Sequence, residues 1–224
     1  MGVLERRARE RSETRDKILD AARELFITDG YEGVSMRKVA EKIEYSPTAI
    51  YLHFAHKEDL FHQLCQEDFA RLAEVFRSSA MPQDPVARMR EIGRVYVEFG
   101  VRYPNHYKLM FMTPHPPAAL DEQDHEVKGN PESDAYAFLK YTVQQAIAEG
   151  KFREDIADAD LISQTMWASV HGVISLQIAK CNDSAWVDWR PMEERTTVML
   201  DAILFGLLKP DLSTPDLPQK AEGE

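Results

Sequence analysis

The chain has 224 residues, 44% of them hydrophobic, enough to bury a sizeable core in one large domain or in a small domain and a medium one. No stretch approaches the ~18 uninterrupted apolar residues of a membrane span. The N-terminus is charged from Glu5 onward where a signal peptide would be apolar, so a cytoplasmic protein with no membrane contact is expected. The net charge of −11 is uneven: residues 1–57 hold eleven Lys and Arg against ten Asp and Glu, and the remainder sixteen against twenty-eight, so a polyanion would be met by the front of the chain.

Nearly all the periodicity is helical. Ile18, Leu19, Ala22, Leu25 and Phe26 recur at intervals of three and four, with Gly30 placed to end the helix. Residues 1–12, with Arg6, Arg7, Arg9 and Arg11 among Glu5 and Glu10, read either as a disordered basic arm that could reach a polyanion or as a frayed terminus. Ser35 is placed to cap a short helix carrying Val39, Ala40 and Ile43, and Ser46-Pro47 to start another that Phe54 closes. A long helix is expected over about 57–79, with Leu60, Phe61, Leu64, Phe69, Leu72, Val75 and Phe76 on its apolar stripe. Others follow from Asp84-Pro85 to about Tyr103, and from Pro104 through Tyr107, Met110 and Phe111.

Residues 113–131, with four prolines and a cluster of acids, read as an exposed loop. Helices resume over about 132–148, 158–179 and 192–208, and the tail from Lys209 reads as frayed. No run alternates as a strand would, so the expected fold is all-α, with a small N-terminal helical domain over 1–56, a larger helical domain over 57–210, and a flexible tail over 211–224. Leu161–Ile178 and Val198–Leu208 are apolar on nearly every face. A helix of that kind must be covered all round, by a second subunit or as the centre of a monomer core, and a homodimer is the expectation.

The second and third helices are separated by only Glu44-Tyr45-Ser46, the spacing of a helix-turn-helix unit that lays its third helix in the DNA major groove. Gly30-Tyr31, Val34-Ser35-Met36-Arg37-Lys38-Val39-Ala40, Ser46 through Phe54 (SPTAIYLHF) and Lys57-Glu58-Asp59-Leu60 together resemble the signature of the tetracycline-repressor (TetR) family over roughly residues 13–62. Farther on, Trp167-Ala168-Ser169-Val170-His171-Gly172 is similar to the Trp…His-Gly pattern of one C-terminal subgroup, as is Pro104…Tyr107…Leu109-Met110-Phe111.

The resemblance implies a double-stranded DNA operator as partner, with Ser35 capping the second helix near a phosphate and Arg37 near the backbone or a base edge. It puts Thr48 and Ala49 where base contacts are usual, with Tyr51, His53 and Lys57 on phosphates. Ser46 and Pro47 complete the DNA-binding set, Ser46 as a cap before anything else. Two positions depart from the family's pattern. Thr48 stands where many members have Gly, so it would read a thymine methyl or a base edge, and Ala55-His56 replaces the usual small polar cap, leaving the start of the fourth helix without an evident one.

The effector is expected to be a small apolar or aromatic compound, with Phe69, Tyr96, Phe99, Tyr107, Met110, Tyr141, Met166, Trp167, Val170, His171 and Ile174 as candidate contacts, although the same residues would serve as core. His171 is either a core histidine or the polar anchor of a pocket walled by Trp167, with Gly172 admitting a close neighbour. The alternative is a DNA-binding regulator with no effector. No phosphate loop, nucleophile elbow or paired metal ligands stand out, the spacing of His53, His56 and His62 suits no metal, and the expectation is a non-enzyme without metal or cofactor. Cys65 and Cys181 read as reduced and inert, a redox pair being the alternative.

Overall fold

The computed structural model describes residues 2–114, 122–181 and 187–210. The described residues form ten helices: α1 (Val3–Asp29), α2 (Met36–Lys42), α3 (Pro47–Tyr51), α4 (Lys57–Ser78), α5 (Pro85–Arg102), α6 (Pro104–Met112), α7 (Glu122–Val127), α8 (Ala135–Ala148), α9 (Ala159–Ala179) and α10 (Met192–Leu207). The only other pairing among them is one antiparallel bridge, Phe152 with Leu208, so the all-α expectation holds. The helix starts follow from caps in the sequence. Asp134 accepts the N–H groups of Tyr136 and Ala137, and Asp158 those of Asp160 and Leu161.

Two expectations are corrected. Residues 3–12 are neither a disordered arm nor a frayed terminus; the first helix runs back to Val3, because Arg6–Glu10 and Arg9–Glu13 are i,i+4 pairs that support a helix needing no apolar face there. The 113–131 segment is not all loop either. It contains α7, whose Asp124 accepts from Gln66 Nε2 at 3.0 Å and lies 2.7 Å from His62 Nε2. Residues 115–121 and the expected tail over 211–224 lie outside the described residues.

The chain forms two compact units, Met1–Arg71 with Tyr103–His125, and Leu72–Arg102 with Glu126 onward. A division at residues 56 and 57 follows the end of the helix-turn-helix, but the first unit takes in more chain because its core does. Ile18, Ala22, Phe26, Val39, Ile50 and Phe54 share one buried cluster with Leu60, Phe61 and Leu64 of α4 and Leu109 of α6. Phe61 meets Phe26 and Tyr31 edge-on, at 4.9 and 5.1 Å between ring centroids.

Inside that unit sits an ionic cluster. Asp68, 1% exposed, falls in the row Leu60, Leu64, Asp68 on the inner face of α4, one residue from Phe69, which the apolar-stripe reading placed inside and which is instead 45% exposed. Arg23 of α1 grips the carboxylate with two prongs, Nε to Oδ2 at 3.2 Å and Nη2 to Oδ1 at 2.8 Å. From α6, His106 Nδ1 lies 2.7 Å from Oδ1; a carboxylate only accepts, so Nδ1 carries the hydrogen. One buried acid thus ties three helices.

The second unit is built from α5, α8, α9 and α10. The row Ile162, Met166, Val170, Ile174 is the buried face of α9. Gly93 of α5 is where α10 comes closest: a Cβ there would stand 2.5 Å from Leu200 Cδ2 and 3.3 Å from Val170 Cγ1. Gly172, expected to admit a close neighbour, has nothing within 4 Å of where its Cβ would be. Asp201, the one charge in the apolar run of α10, is ion-paired with Arg90 of α5.

Removing the Asp68 carboxylate leaves the Arg23 guanidinium buried without its main partner. Asp68→Ala is therefore expected to destabilise the protein by about 3–5 kcal/mol, read from urea unfolding followed by circular dichroism. A loss under about 1 kcal/mol would contradict the role given to this cluster.

Candidate nucleic-acid interface

The turn between α2 and α3 is closed by backbone bonds. Tyr45 N–H reaches Ala40 C=O at 3.0 Å and Glu44 N–H reaches Glu41 C=O at 3.2 Å, the pair that ends a helix in a Schellman motif. That motif requires a left-handed residue after the cap, and Glu44 supplies it at φ 59, a conformation that suits glycine. Ser35 caps α2 by accepting from Lys38 N–H at 3.2 Å, and Ser46 caps α3 by accepting from Ala49 N–H at 3.3 Å, with Pro47 at the first helical position.

Helix α3 is five residues long and is rooted by Ile50 and, just beyond it, Phe54, both fully buried. Phe54 therefore belongs to the core, as its aromatic character and position imply. Ser46, Pro47 and Thr48 are exposed, Ala49 is half-buried, and Tyr51 and Leu52 stand out at 55% and 70% exposure. The exposed edge thus carries one hydroxyl-methyl side chain, one phenol and one bare apolar side chain. Leu52 was missed in the sequence, where a leucine two residues from Phe54 reads as core; only the turn of the helix puts it outside.

The flanking bases are already engaged. Arg37 is paired with Glu41 at 2.8 Å, Lys38 with Asp29 at 2.6 Å, and Lys42 with Glu24 at 2.8 Å. Lys57 begins α4 with its ammonium 4.2 Å from the centre of the Tyr31 ring, donating to Tyr31 C=O at 3.2 Å. The start of α4 is closed by two side-chain bonds. His56 Nδ1 accepts from Asp59 N–H at 3.0 Å while the Asp59 carboxylate accepts from Ala55 N–H at 2.7 Å. An imidazole does here what a Ser or Thr does elsewhere.

His53 is half-buried. Burial first, then the charges of Arg11 and Arg15, hold its imidazole below the ordinary value. Arg11 Nη2 reaches Leu52 C=O at 3.5 Å, and the Arg15 guanidinium lies 5.5 Å from the centre of the Phe54 ring. The first helix therefore flanks the end of α3, a neighbourhood that no local sequence pattern announces.

The candidate effector residues divide between the units. Phe69, Tyr107 and Met110 belong to the first, where Phe111 meets both Phe69 and Tyr107 at 5.7 and 4.9 Å; Tyr107 and Met110 are buried. Tyr96, Phe99, Tyr141, Met166, Trp167, Val170, His171 and Ile174 belong to the second. Tyr96, Phe99, Met166, Val170 and Ile174 are buried there, Tyr141 and Trp167 are exposed at 44% and 38%, and His171 is half-buried. Trp167, His171 and Ile174 do not form one buried face as their spacing implies; Ile174 lies in the buried row and the other two flank it. Trp167 Nε1 donates to Tyr96 OH at 3.0 Å and its ring lies 5.9 Å from that of Tyr136. Burial holds the His171 imidazole below its ordinary value.

Both cysteines are free, and burial pushes the Cys65 thiol up to about 12, which keeps it protonated and unreactive near neutrality. Among the described residues no three His, Cys, Asp or Glu side chains gather as a metal site would need, and no helix is long and apolar enough to cross a membrane.

Residues 18–64 match the family model described as bacterial regulatory proteins of the tetR family, and residues 89–203 match the tetracyclin repressor-like C-terminal domain. The chain is similar to the HTH-type transcriptional repressor AcnR of Corynebacterium diphtheriae, 43% identical over 72 residues, a stretch covering 32% of this chain and 38% of AcnR. Among solved structures it shares its fold with a TetR family transcription regulator from Marinobacter aquaeolei VT8, at TM-score 0.69 and 15% identity over 90% of this chain and 99% of that one. It also shares it with a protein of unknown function from Rhodococcus sp. RHA1, at TM-score 0.66 and 24% identity over 87% and 95%.

The left-handed residue in the turn gives a direct test of how this interface is held. Glu44→Gly removes the Cβ clash at φ 59 and is expected to raise stability by about 0.5–1 kcal/mol, the gain being tempered by the freer unfolded chain. Paired thermal melts read it, and a variant that melts lower than wild type would show that the Glu44 side chain contributes more than its backbone strain costs.

Proposed function

The chain belongs to the TetR family of bacterial regulatory proteins, and from that premise we propose that it is a cytoplasmic DNA-binding transcriptional repressor, a homodimer released from a pseudo-palindromic operator by a small apolar or aromatic effector. The observation that carries the DNA half is the two-sided character of α3: Ile50 roots it in an apolar core while Thr48 stands outside at its N-terminal end, where base edges are read, and Tyr51 and Leu52 stand outside at its far end. In this reading Thr48 and Ala49 meet bases. Ser35, Arg37, Tyr51, His53 and Lys57 meet phosphates, Lys57 by swinging from the Tyr31 carbonyl at a helix N-terminus that already favours an anion.

The dimer half rests on apolar side chains left outside on the last two helices, Leu161 and Leu176 of α9 and Val198 and Phe205 of α10, exposed at 47–68%. A two-fold axis lets one such surface cover its own copy. The effector half rests on His171. An imidazole kept neutral by burial both donates and accepts, and with Trp167 beside it on α9 it suits one polar group on a largely apolar compound.

Selection of bound fragments from a random DNA pool tests the DNA half, and compounds that release the selected fragment test the effector half. The selected site is expected to be a pseudo-palindrome with affinity falling steeply as salt rises. Thr48→Ala should change preference by ~1–3 kcal/mol at one base pair per half-site and leave affinity for random DNA intact. No enrichment of any sequence, or an affinity indifferent to salt, would overturn the reading.

Phe205→Glu separates a subunit contact from an idle surface. At 60% exposure the charge costs an isolated subunit little, but in a dimer contact it is buried unpaired and costs several kcal/mol. Sedimentation is expected to show wild type as a dimer and the variant as a monomer of unchanged helicity. Two dimers, or two monomers, would remove this face from the contact.

A further inference from the structure

The N-terminal part of α1 has two faces of opposite character. Glu5, Arg6, Arg9, Glu10 and Glu13 turn one way, and there the bases are neutralised by Arg6–Glu10 at 3.4 Å and Arg9–Glu13 at 3.6 Å. Arg7, Arg11 and Arg15 recur every fourth residue on the other side, in register with Ile18 and Ala22 of the buried face, and no acid shares their row. The inner row is therefore an arginine ridge running outward from the core. Its inner end is tied down, Arg15 to Glu67 and to Gln63 at 2.9 Å, and Arg11 touches the Leu52 carbonyl at the end of α3.

We infer that this ridge is a second DNA contact, in which Arg7 and Arg11 of each subunit bind backbone phosphates flanking the base pairs that α3 reads. The inference rests on the DNA-binding reading above and extends it to a surface outside the helix-turn-helix. Two observations carry it: the ridge is continuous with the exposed edge of α3 through the Arg11–Leu52 contact, and its charge is complementary to phosphate while the opposite face cancels its own. A helix rises 1.5 Å per residue, so from Arg15 out to Arg7 the ridge spans roughly 12 Å, the length of about three to four base-pair steps. A helix holding two arginines one turn apart places charge without the ordering cost of a disordered arm. The contact reads no sequence; it lengthens the site and positions the protein on it.

The test uses the full chain and a fragment selected from a random pool by the wild type. Arg7→Ala/Arg11→Ala keeps the helix, since alanine favours it, and circular dichroism verifies this. The slope of log affinity against log salt is expected to become shallower by about 2 per subunit in the double variant, with a footprint shortened at both outer ends and the same preferred half-site. Arg6→Ala/Arg9→Ala, on the cancelled face, should leave slope and footprint near those of wild type. Wild-type slope and footprint in the Arg7/Arg11 variant would overturn the ridge contact alone, and an equal loss in both variants would replace it with diffuse charge. Absence of DNA binding by the wild type itself would overturn the function reading and the ridge together.

Discussion

A carboxylate with almost no access to water, gripped by a guanidinium and touched by an imidazole, holds the first unit of this protein in register. Asp68 belongs to α4, Arg23 to α1 and His106 to α6, so the three helices are fixed to one another at one point by groups whose geometry tolerates little sliding. Such a cluster adds little net stability over an apolar core of the same shape, because the cost of drying the charges offsets much of their attraction. What it supplies is position. An apolar α4 could shift by a turn on α1 and keep its burial, whereas one with Asp68 at its centre loses both prongs of Arg23 if it moves. The helix-turn-helix is built on the same α1, so the direction in which α3 faces is set from beneath by this ionic point as well as by the aromatic cluster of Phe26, Tyr31 and Phe61.

The surface above that core keeps its positive charge in reserve. Arg37, Lys38, Lys42 and Lys57 are each held by a neighbouring carboxylate, carbonyl or ring in the free protein. Exposed ion pairs are worth only about 0–1 kcal/mol, so a phosphate can displace a carboxylate partner at small cost, while an approaching molecule without dense negative charge has little reason to. The near-zero balance of the first 57 residues is thus compatible with a polyanion-binding face, because what matters is which bases can exchange partners, and where. His53 fits the same economy: kept neutral by burial and by Arg11 and Arg15, it can donate a hydrogen bond without adding to repulsion among the bases.

The second unit solves a different problem. It packs two helices rich in apolar residues, and it brings α10 close to α5 by leaving Gly93 without a side chain where Leu200 enters. Asp201, the charge within the apolar run of α10, is paired with Arg90. Polar side chains inside are satisfied locally, Thr142, Ser163 and Thr196 each bonding back to the carbonyl four residues before it. Phe205, Val198, Leu161 and Leu176 are left over, and they share no such arrangement.

Much of this was written locally in the chain. Caps declared themselves at Ser35 and Ser46, because a short polar side chain before an apolar run has one efficient use, and apolar residues at intervals of three and four fixed helix after helix. The helix-turn-helix was legible for the same reason, since its turn is short and its caps are local. Other features were decided only by tertiary structure. Asp68 reads in the sequence as a break in a stripe, because the partners that make it a keystone lie 45 and 38 residues away. Leu52 and Phe54 are both apolar and two apart, and only the path of α3 over its core sends one out and the other in. The reach of α1 back to Val3 was masked by charges that look like a solvated tail until their i,i+4 pairing is seen, and α7 was masked by its acids, one of which meets a histidine 62 residues earlier. Periodicity and capping are properties of neighbours in sequence, and the chain determines them by itself; which charge is buried, and against what, is settled only when distant segments close the same core.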